Sequence, residues 1–123
     1  MIALLLLTQL AVAPVAAPAS TPMRDWRPYV SMIVGQSLDA ASTQRFLTNG
    51  SGCTEANPHY GTRPTATRLW LGKAAVVGVL SLYLAVSERD SNKWVRRLPK
   101  LVAYYAAGQG AYSGVRNIQL CGW

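Results

Sequence analysis

Charge is scarce in this chain. Only 14% of its 123 residues are Asp, Glu, Lys or Arg, where a soluble domain carries about a quarter. Half of the chain is hydrophobic, and the two facts together point toward a membrane protein. Acid is scarcer still: five Asp and Glu face twelve Lys and Arg, for a formal charge of +7. A basic balance can signal nucleic acid, but these cations do not cluster on a soluble module with interleaved aromatics. They flank apolar segments, where Lys and Arg mark membrane edges, so no nucleic-acid partner is expected. A single histidine rules out a His-x-x-x-His zinc motif. Internal repeats and low-complexity linkers are absent, and the length allows one domain at most.

What the chain does have is four apolar segments. They are MIALLLLTQLAVAPVAAPA (1–19), YVSMIVGQSLDAASTQRFL (29–47), LWLGKAAVVGVLSLYLAV (69–86) and LPKLVAYYAAGQGAYSGVRNIQL (98–120). A membrane helix needs about 20 residues, and the last three segments meet that length. Trp26, Trp70, Trp94 and Trp123 stand at segment ends, as in an aromatic belt. Pro28 and Pro99 stand where a helix is expected to begin, the position proline tolerates best. The expected fold is therefore all-α: one domain over 20–123, a transmembrane bundle of three helices at about 29–47, 69–86 and 98–120.

Residues 1–19 admit two readings. An apolar core ending in Ala17-Pro18-Ala19 before Ser20 resembles a signal peptide with its cleavage site. No Lys or Arg precedes it, however, and an uncleaved first apolar helix, bent by Pro14 and Pro18, is the other reading. Between the remaining segments lie TNGSGCTEANPHYGTRPTAT (48–67), which reads as a loop, and the short basic SERDSNKWVRR (87–97). Arg24, Arg27, Arg89, Lys93, Arg96, Arg97 and Lys100 fall on one side of the bundle. Arg45, Arg63, Arg68, Lys73 and Arg116 fall on the other, too even a split to orient it by the positive-inside rule.

Sidedness within the bundle is clearer. If the helices alternate, the ends of the second and fourth segments and the start of the third share one face. By the helical rise, Asp39 then lies roughly 12 Å deep and Lys73 roughly 6 Å deep. Arg116 and Asn117 approach from the fourth segment, and the loop with Cys53, Glu55, Asn57 and His59 roofs the same side. Gly35, Asp39, Thr43 and Phe46 share one helical face, with Ser42 beside it. Tyr105, Gln109, Tyr112, Ser113 and Arg116 form a second stripe, and Ala106, Gly110 and Gly114 a small-residue edge suited to close packing. A charged group at the bilayer centre costs about 2.5–3.5 kcal/mol, so Asp39 needs a partner. Lys73 is the first choice and Arg116 the second. Such a cluster either sets helix register or forms a functional site.

Other chemistries fare worse. Gly72-Lys73 is no phosphate loop, because Thr67 replaces the upstream glycine and Ala74 the Ser/Thr. Gly108-Gln109-Gly110 lacks the rest of a dinucleotide fingerprint. Cys53, Glu55, His59 and Cys121 are ligand types that suit zinc, but in no standard spacing, and no metal or cofactor is expected. Ser42 or Ser113 as a nucleophile, with Lys73 or His59 as base, is not selected by any spacing. Cys53 and Cys121 fall on the same side. They form a disulfide if that side is extracytoplasmic, and stay free thiols if it is cytoplasmic.

Asp39, Ser42-Thr43, Glu55-Ala56-Asn57-Pro58 and Lys73 follow a pattern of D-x-x-[ST]-T in one helix, G-x-x-E-x-N-P in a loop and a lysine in the next helix. In this the chain resembles the DUF5658-like group of small bacterial multi-pass membrane proteins, with Ser51-Gly52-Cys53-Thr54 as a small insertion. The resemblance implies a multi-pass protein of the bacterial inner membrane and supplies no activity. The expected function is a non-enzymatic scaffold or accessory subunit with a buried polar cluster. Its expected partners are the lipid bilayer, anionic lipid headgroups or another membrane protein. The alternative is a membrane-embedded enzyme or proton/ion handler, with Asp39 or Glu55 titrating and Lys73 tuning it.

Overall fold

The computed structural model describes residues 24–122, so both readings of residues 1–19, and the placement of Trp123, lie outside it. Three helices make up the described chain: α1 (Arg27–Thr48), α2 (Ala66–Ser87) and α3 (Lys93–Cys121). The fold is all-α, and there is no strand among the described residues.

Local chemistry explains where each helix starts. Pro28 lies in the first turn of α1, where its fixed φ suits the helix and its missing N–H is not needed. Thr65 caps α2, its hydroxyl accepting from the Arg68 N–H at 3.2 Å. Asn92 caps α3 by accepting from the Trp94 N–H at 2.9 Å. That cap corrects the expected boundary. The helix begins at Lys93 rather than near 98, so the basic run expected in a loop is helical, and Pro99 lies inside the helix rather than at its start. The Pro99 ring is fully buried. At the far end Gly122 ends α3 in the left-handed region (φ 78°), a conformation other residues enter at a cost.

α1 and α3 run parallel, and α2 runs against both. Asp25 meets Lys100 near the start of α1 and α3, and Thr43 meets Asn117 near their ends. Trp70, early in α2, donates its indole N–H to Gln44, late in α1. Leu84, late in α2, joins Tyr29, Met32, Ala103 and Ala107 in the small apolar core.

α1 and α3 touch backbone to backbone. A Cβ built on Gly35 would lie 2.2 Å from the Ala107 carbonyl oxygen. One on Gly110 would lie 2.6 Å from the Gly35 carbonyl, and one on Gly114 2.6 Å from the Leu38 side chain. No larger residue fits at these crossings.

By length and composition one helix, α2, is apolar enough to cross a membrane, with a mean hydropathy of 1.9 over its most apolar stretch. Only 11% of that stretch is buried. α1 falls short because it turns a polar stripe inward, Gln36, Asp39, Ser42 and Thr43. α3 falls short because it carries Lys93, Arg96, Arg97, Gln109, Arg116 and Gln119 on its exposed surface, its buried residues being Pro99, Ala103, Ala107, Gly110 and Gly114.

The glycine contacts make a direct prediction. Gly35→Ala and Gly110→Ala should each destabilise the fold by about 1–3 kcal/mol, the usual cost of overpacking. Gly108→Ala, at a position with open space around it, should be neutral or stabilise by up to about 1 kcal/mol through helix propensity. Thermal unfolding of the three variants checks the contrast.

Candidate functional site

Asp39 stands midway along α1, on the same face as Gln36 and Thr43. Lys73 enters from the second turn of α2 and donates from Nζ to Asp39 Oδ2. Both side chains are largely buried, at 13% and 12% exposure. Asn117, one turn before the end of α3, completes the group. Its Nδ2 lies 3.0 Å from Thr43 Oγ1, 3.2 Å from Ser42 Oγ and 3.4 Å from Asp39 Oδ1. Ser42 in turn donates to the Asp39 carbonyl at 3.0 Å. Gln36 clasps α3 from the same stripe, its Nε2 donating to the Ala106 carbonyl at 2.7 Å. No buried side-chain nitrogen or oxygen of this cluster lacks a hydrogen-bond partner. That matters because an unsatisfied buried polar group costs about 1–3 kcal/mol, and more if charged.

The α1–α2 connection folds into a lid above the cluster. The Glu55 N–H donates to the Thr62 carbonyl at 2.9 Å, closing the loop. The Asn57 N–H donates to Glu55 Oε1 at 2.8 Å, and the His59 N–H to Asn57 Oδ1 at 3.1 Å. These are the side chain-to-backbone bonds that Asn-Pro turns favour. Gly61 continues the turn at φ 81°. Tyr60 then points down onto α2. A Cβ on Gly72 would lie 2.2 Å from its ring, and the Lys73 ammonium lies 5.4 Å from the ring centroid. Arg68 secures the rim by donating to the His59 carbonyl at 2.9 Å.

A disulfide joins Cys53 of the lid to Cys121 at the end of α3, 68 residues apart in sequence. Closing a loop of this length stabilises the fold by about 4 kcal/mol in the chain-entropy picture. It also removes both sulfurs from any metal site. Among the described residues, no group of three or more His, Cys, Asp or Glu is placed to hold a metal ion.

Between α3, α2 and the lid lies a cavity of about 630 Å³, within the range of small-molecule pockets. Asp39, Lys73 and Asn117 reach it from below, Glu55 and Asn57 from the lid, and Gln109 and Arg116 from α3. Thr43 lies behind this wall and is fully buried. His59 does not join the site. Its side chain is exposed on the outer surface of the lid, and only its backbone takes part. Arg116 lines the cavity but forms no ion pair with Asp39, which is paired with Lys73. Ser42 has no geometric support as a nucleophile, because it bonds to Asn117 and to backbone while Lys73 is held by Asp39. Ser113 lines the same cavity as Lys73 without a hydrogen bond between them.

Two contributors escaped the sequence reading. Gln36 precedes Asp39 by three residues and so shares its face, a signal that was present. Tyr60 carried none beyond being the aromatic residue in a polar loop. Comparison of the chain with protein-family models, with curated proteins and with solved structures finds no match.

The network predicts an asymmetric response to mutation. Lys73→Met strands the Asp39 carboxylate and should cost about 3–5 kcal/mol, as when a buried pair loses one partner. Asp39→Asn should cost less, because the lysine chain can turn its ammonium into the cavity. The double variant should recover most of the Lys73→Met loss. Denaturation of the four proteins under one condition measures all three terms.

Proposed function

We propose that the chain is a multi-pass protein of the bacterial inner membrane, a non-enzymatic scaffold or accessory subunit whose polar cluster fixes helix register. The observation that carries this reading is an inverted distribution of polarity. Asp39, Ser42, Thr43 and Gln36 are buried, while Val34, Leu71, Val79, Leu82, Leu101 and Leu120 are each more than half exposed. Water would penalise that exterior, whereas lipid accepts it and requires polar groups to find partners inside. The full satisfaction of the cluster supports a structural role, and the resemblance to DUF5658-like proteins supports the multi-pass membrane part of the reading alone.

One feature orients the bundle in this reading. Disulfides persist in oxidising compartments, so the Cys53–Cys121 bond supports a lid on the extracytoplasmic side. Arg24, Arg27, Arg89, Lys93, Arg96, Arg97 and Lys100 then lie at the cytoplasmic end, a split of seven cations against five that agrees with the positive-inside rule without deciding the orientation. The start of α1 is then cytoplasmic.

A second reading has its own support in the cavity that reaches Asp39 and Lys73 beneath Glu55: a membrane-embedded enzyme or proton/ion handler. The readings separate on Asp39→Asn. A scaffold keeps its partner and its cellular phenotype at an unchanged folded amount, whereas an enzyme or ion handler loses the phenotype at that same amount.

Membrane insertion and orientation have a separate test. The protein should stay in the membrane pellet through alkaline carbonate extraction. A Ser91→Cys variant should react with a membrane-impermeant maleimide only after the cells are permeabilised. Labelling in intact cells would reverse the orientation, and release by carbonate would defeat the membrane reading.

A further inference from the structure

The end of the bundle away from the lid holds a second cavity, of about 340 Å³, where the starts of α1 and α3 meet the end of α2. Every residue lining it is charged. Two cations are already matched. Lys100 Nζ donates to Asp25 Oδ2 at 3.0 Å, a hydrogen bond that holds the Asp25 carboxyl below the usual carboxylate range. Arg24 Nε lies 3.5 Å from Glu88 Oε2. Lys93, Arg96 and Arg97 remain, all exposed.

The other acids of the chain form no ion pair with these three cations. Asp39 and Glu55 belong to the lid end, Asp90 accepts from the Asn92 N–H at 2.7 Å, and residues 1–23 contain no Asp or Glu. Lys93, Arg96 and Arg97 thus line the cavity without an ion pair of their own. The lining carries five cations against the carboxylates of Asp25 and Glu88, and Glu88 Oε1 is buried without a hydrogen-bond partner.

The surroundings are built for a lipid. Arg24 is fixed in place, its Nη2 donating to the Tyr29 hydroxyl at 2.6 Å and its guanidinium stacking 4.5 Å from the Tyr29 ring and 4.9 Å from that of Trp26. Trp94 is 64% exposed, with Lys93 and Arg97 each just under 6 Å from its ring. Exposed tryptophans beside cations are the hallmark of headgroup level in a membrane. Leu98 and Leu101, one and two turns further along α3, are both more than half exposed and give an acyl chain a surface leading away from the cavity.

We propose that this cavity binds the phosphate of an anionic phospholipid in the cytoplasmic leaflet, with Arg96, Arg97 and Lys93 supplying the charge and Trp94, Leu98 and Leu101 seating the glycerol and the chain. The proposal rests on the membrane reading above and gives it a specific lipid site. Arginine forks match phosphate oxygens bidentately, and the cytoplasmic leaflet is where anionic lipid accumulates. Arg24 and Lys100, held by their carboxylates, form the walls that set the width of the site.

The test uses the full chain in nanodiscs of phosphatidylcholine, with phosphatidylglycerol added in steps and bound lipid read by native mass spectrometry. The wild type should retain phosphatidylglycerol selectively. The pair Arg96→Gln and Arg97→Gln, both on the exposed surface, should weaken retention about tenfold or more through lost charge-assisted contacts. The pair Arg45→Gln and Arg63→Gln, which removes equal charge at the lid end, should leave it unchanged. Equal loss in both pairs would mean diffuse attraction and would overturn the site. Displacement of the lipid by inorganic phosphate or glycerol 3-phosphate at comparable concentration would make it a site for a soluble anion instead. Failure to enter phosphatidylcholine nanodiscs at all is a separate result and defeats the membrane reading and the proposal together.

Discussion

The backbone contact between α1 and α3 governs the rest of the molecule. Gly35 lies directly on Ala107 and Gly110, with no side chain between the two helices. That contact brings two parallel helices close enough for Gln36 to reach the Ala106 carbonyl and for Asn117 to reach Thr43. It also fixes their register. A slip of one residue would turn Asn117 by about 100° away from α1, and Asp39 would keep only Lys73. The apolar core between the helices is small, so close packing and interhelical hydrogen bonds hold α1 and α3 together. The glycine seam and the polar stripe are thus two parts of one device.

The parallel arrangement also sorts the chemistry to opposite ends. The lid and the end of α3 fall together, which allows Cys53 and Cys121 to bond. The starts of α1 and α3 fall together at the other end, and that gathers Arg24, Lys93, Arg96, Arg97 and Lys100 around one cavity. One end is covalently closed over a neutralised ion pair, and the other is open and carries uncompensated positive charge. α2 serves both, giving Lys73 near its start and Glu88 just past its end.

Much of this was legible because helical spacing is a strong constraint. Three apolar runs of membrane-helix length correspond to three helices, and Asp39 and Lys73 could be matched by depth alone, since two buried charges of opposite sign on adjacent helices have few alternatives. Ala106, Gly110 and Gly114 marked the close edge through their size. The start of α3 was misread because Pro99 resembled a helix opening, while a single side-chain bond from Asn92 outweighed it. His59 was grouped with Glu55 and Asn57 by sequence proximity, but the Asn57–Tyr60 turn throws it outward. Tyr60 gains its place over Lys73 from the same turn.

The sequence by itself determined the class of fold, the scarcity of acid and the positions on each helix that carry polar groups, because composition and periodicity act locally. Only the tertiary structure decided which of those groups meet. Asn117 joins Asp39 while Arg116 does not, because neighbouring residues on a helix point about 100° apart and the glycine seam selects one of them. The same geometry turned two cysteines 68 residues apart into a bond, and turned a scattered basic flank into a single charged cavity.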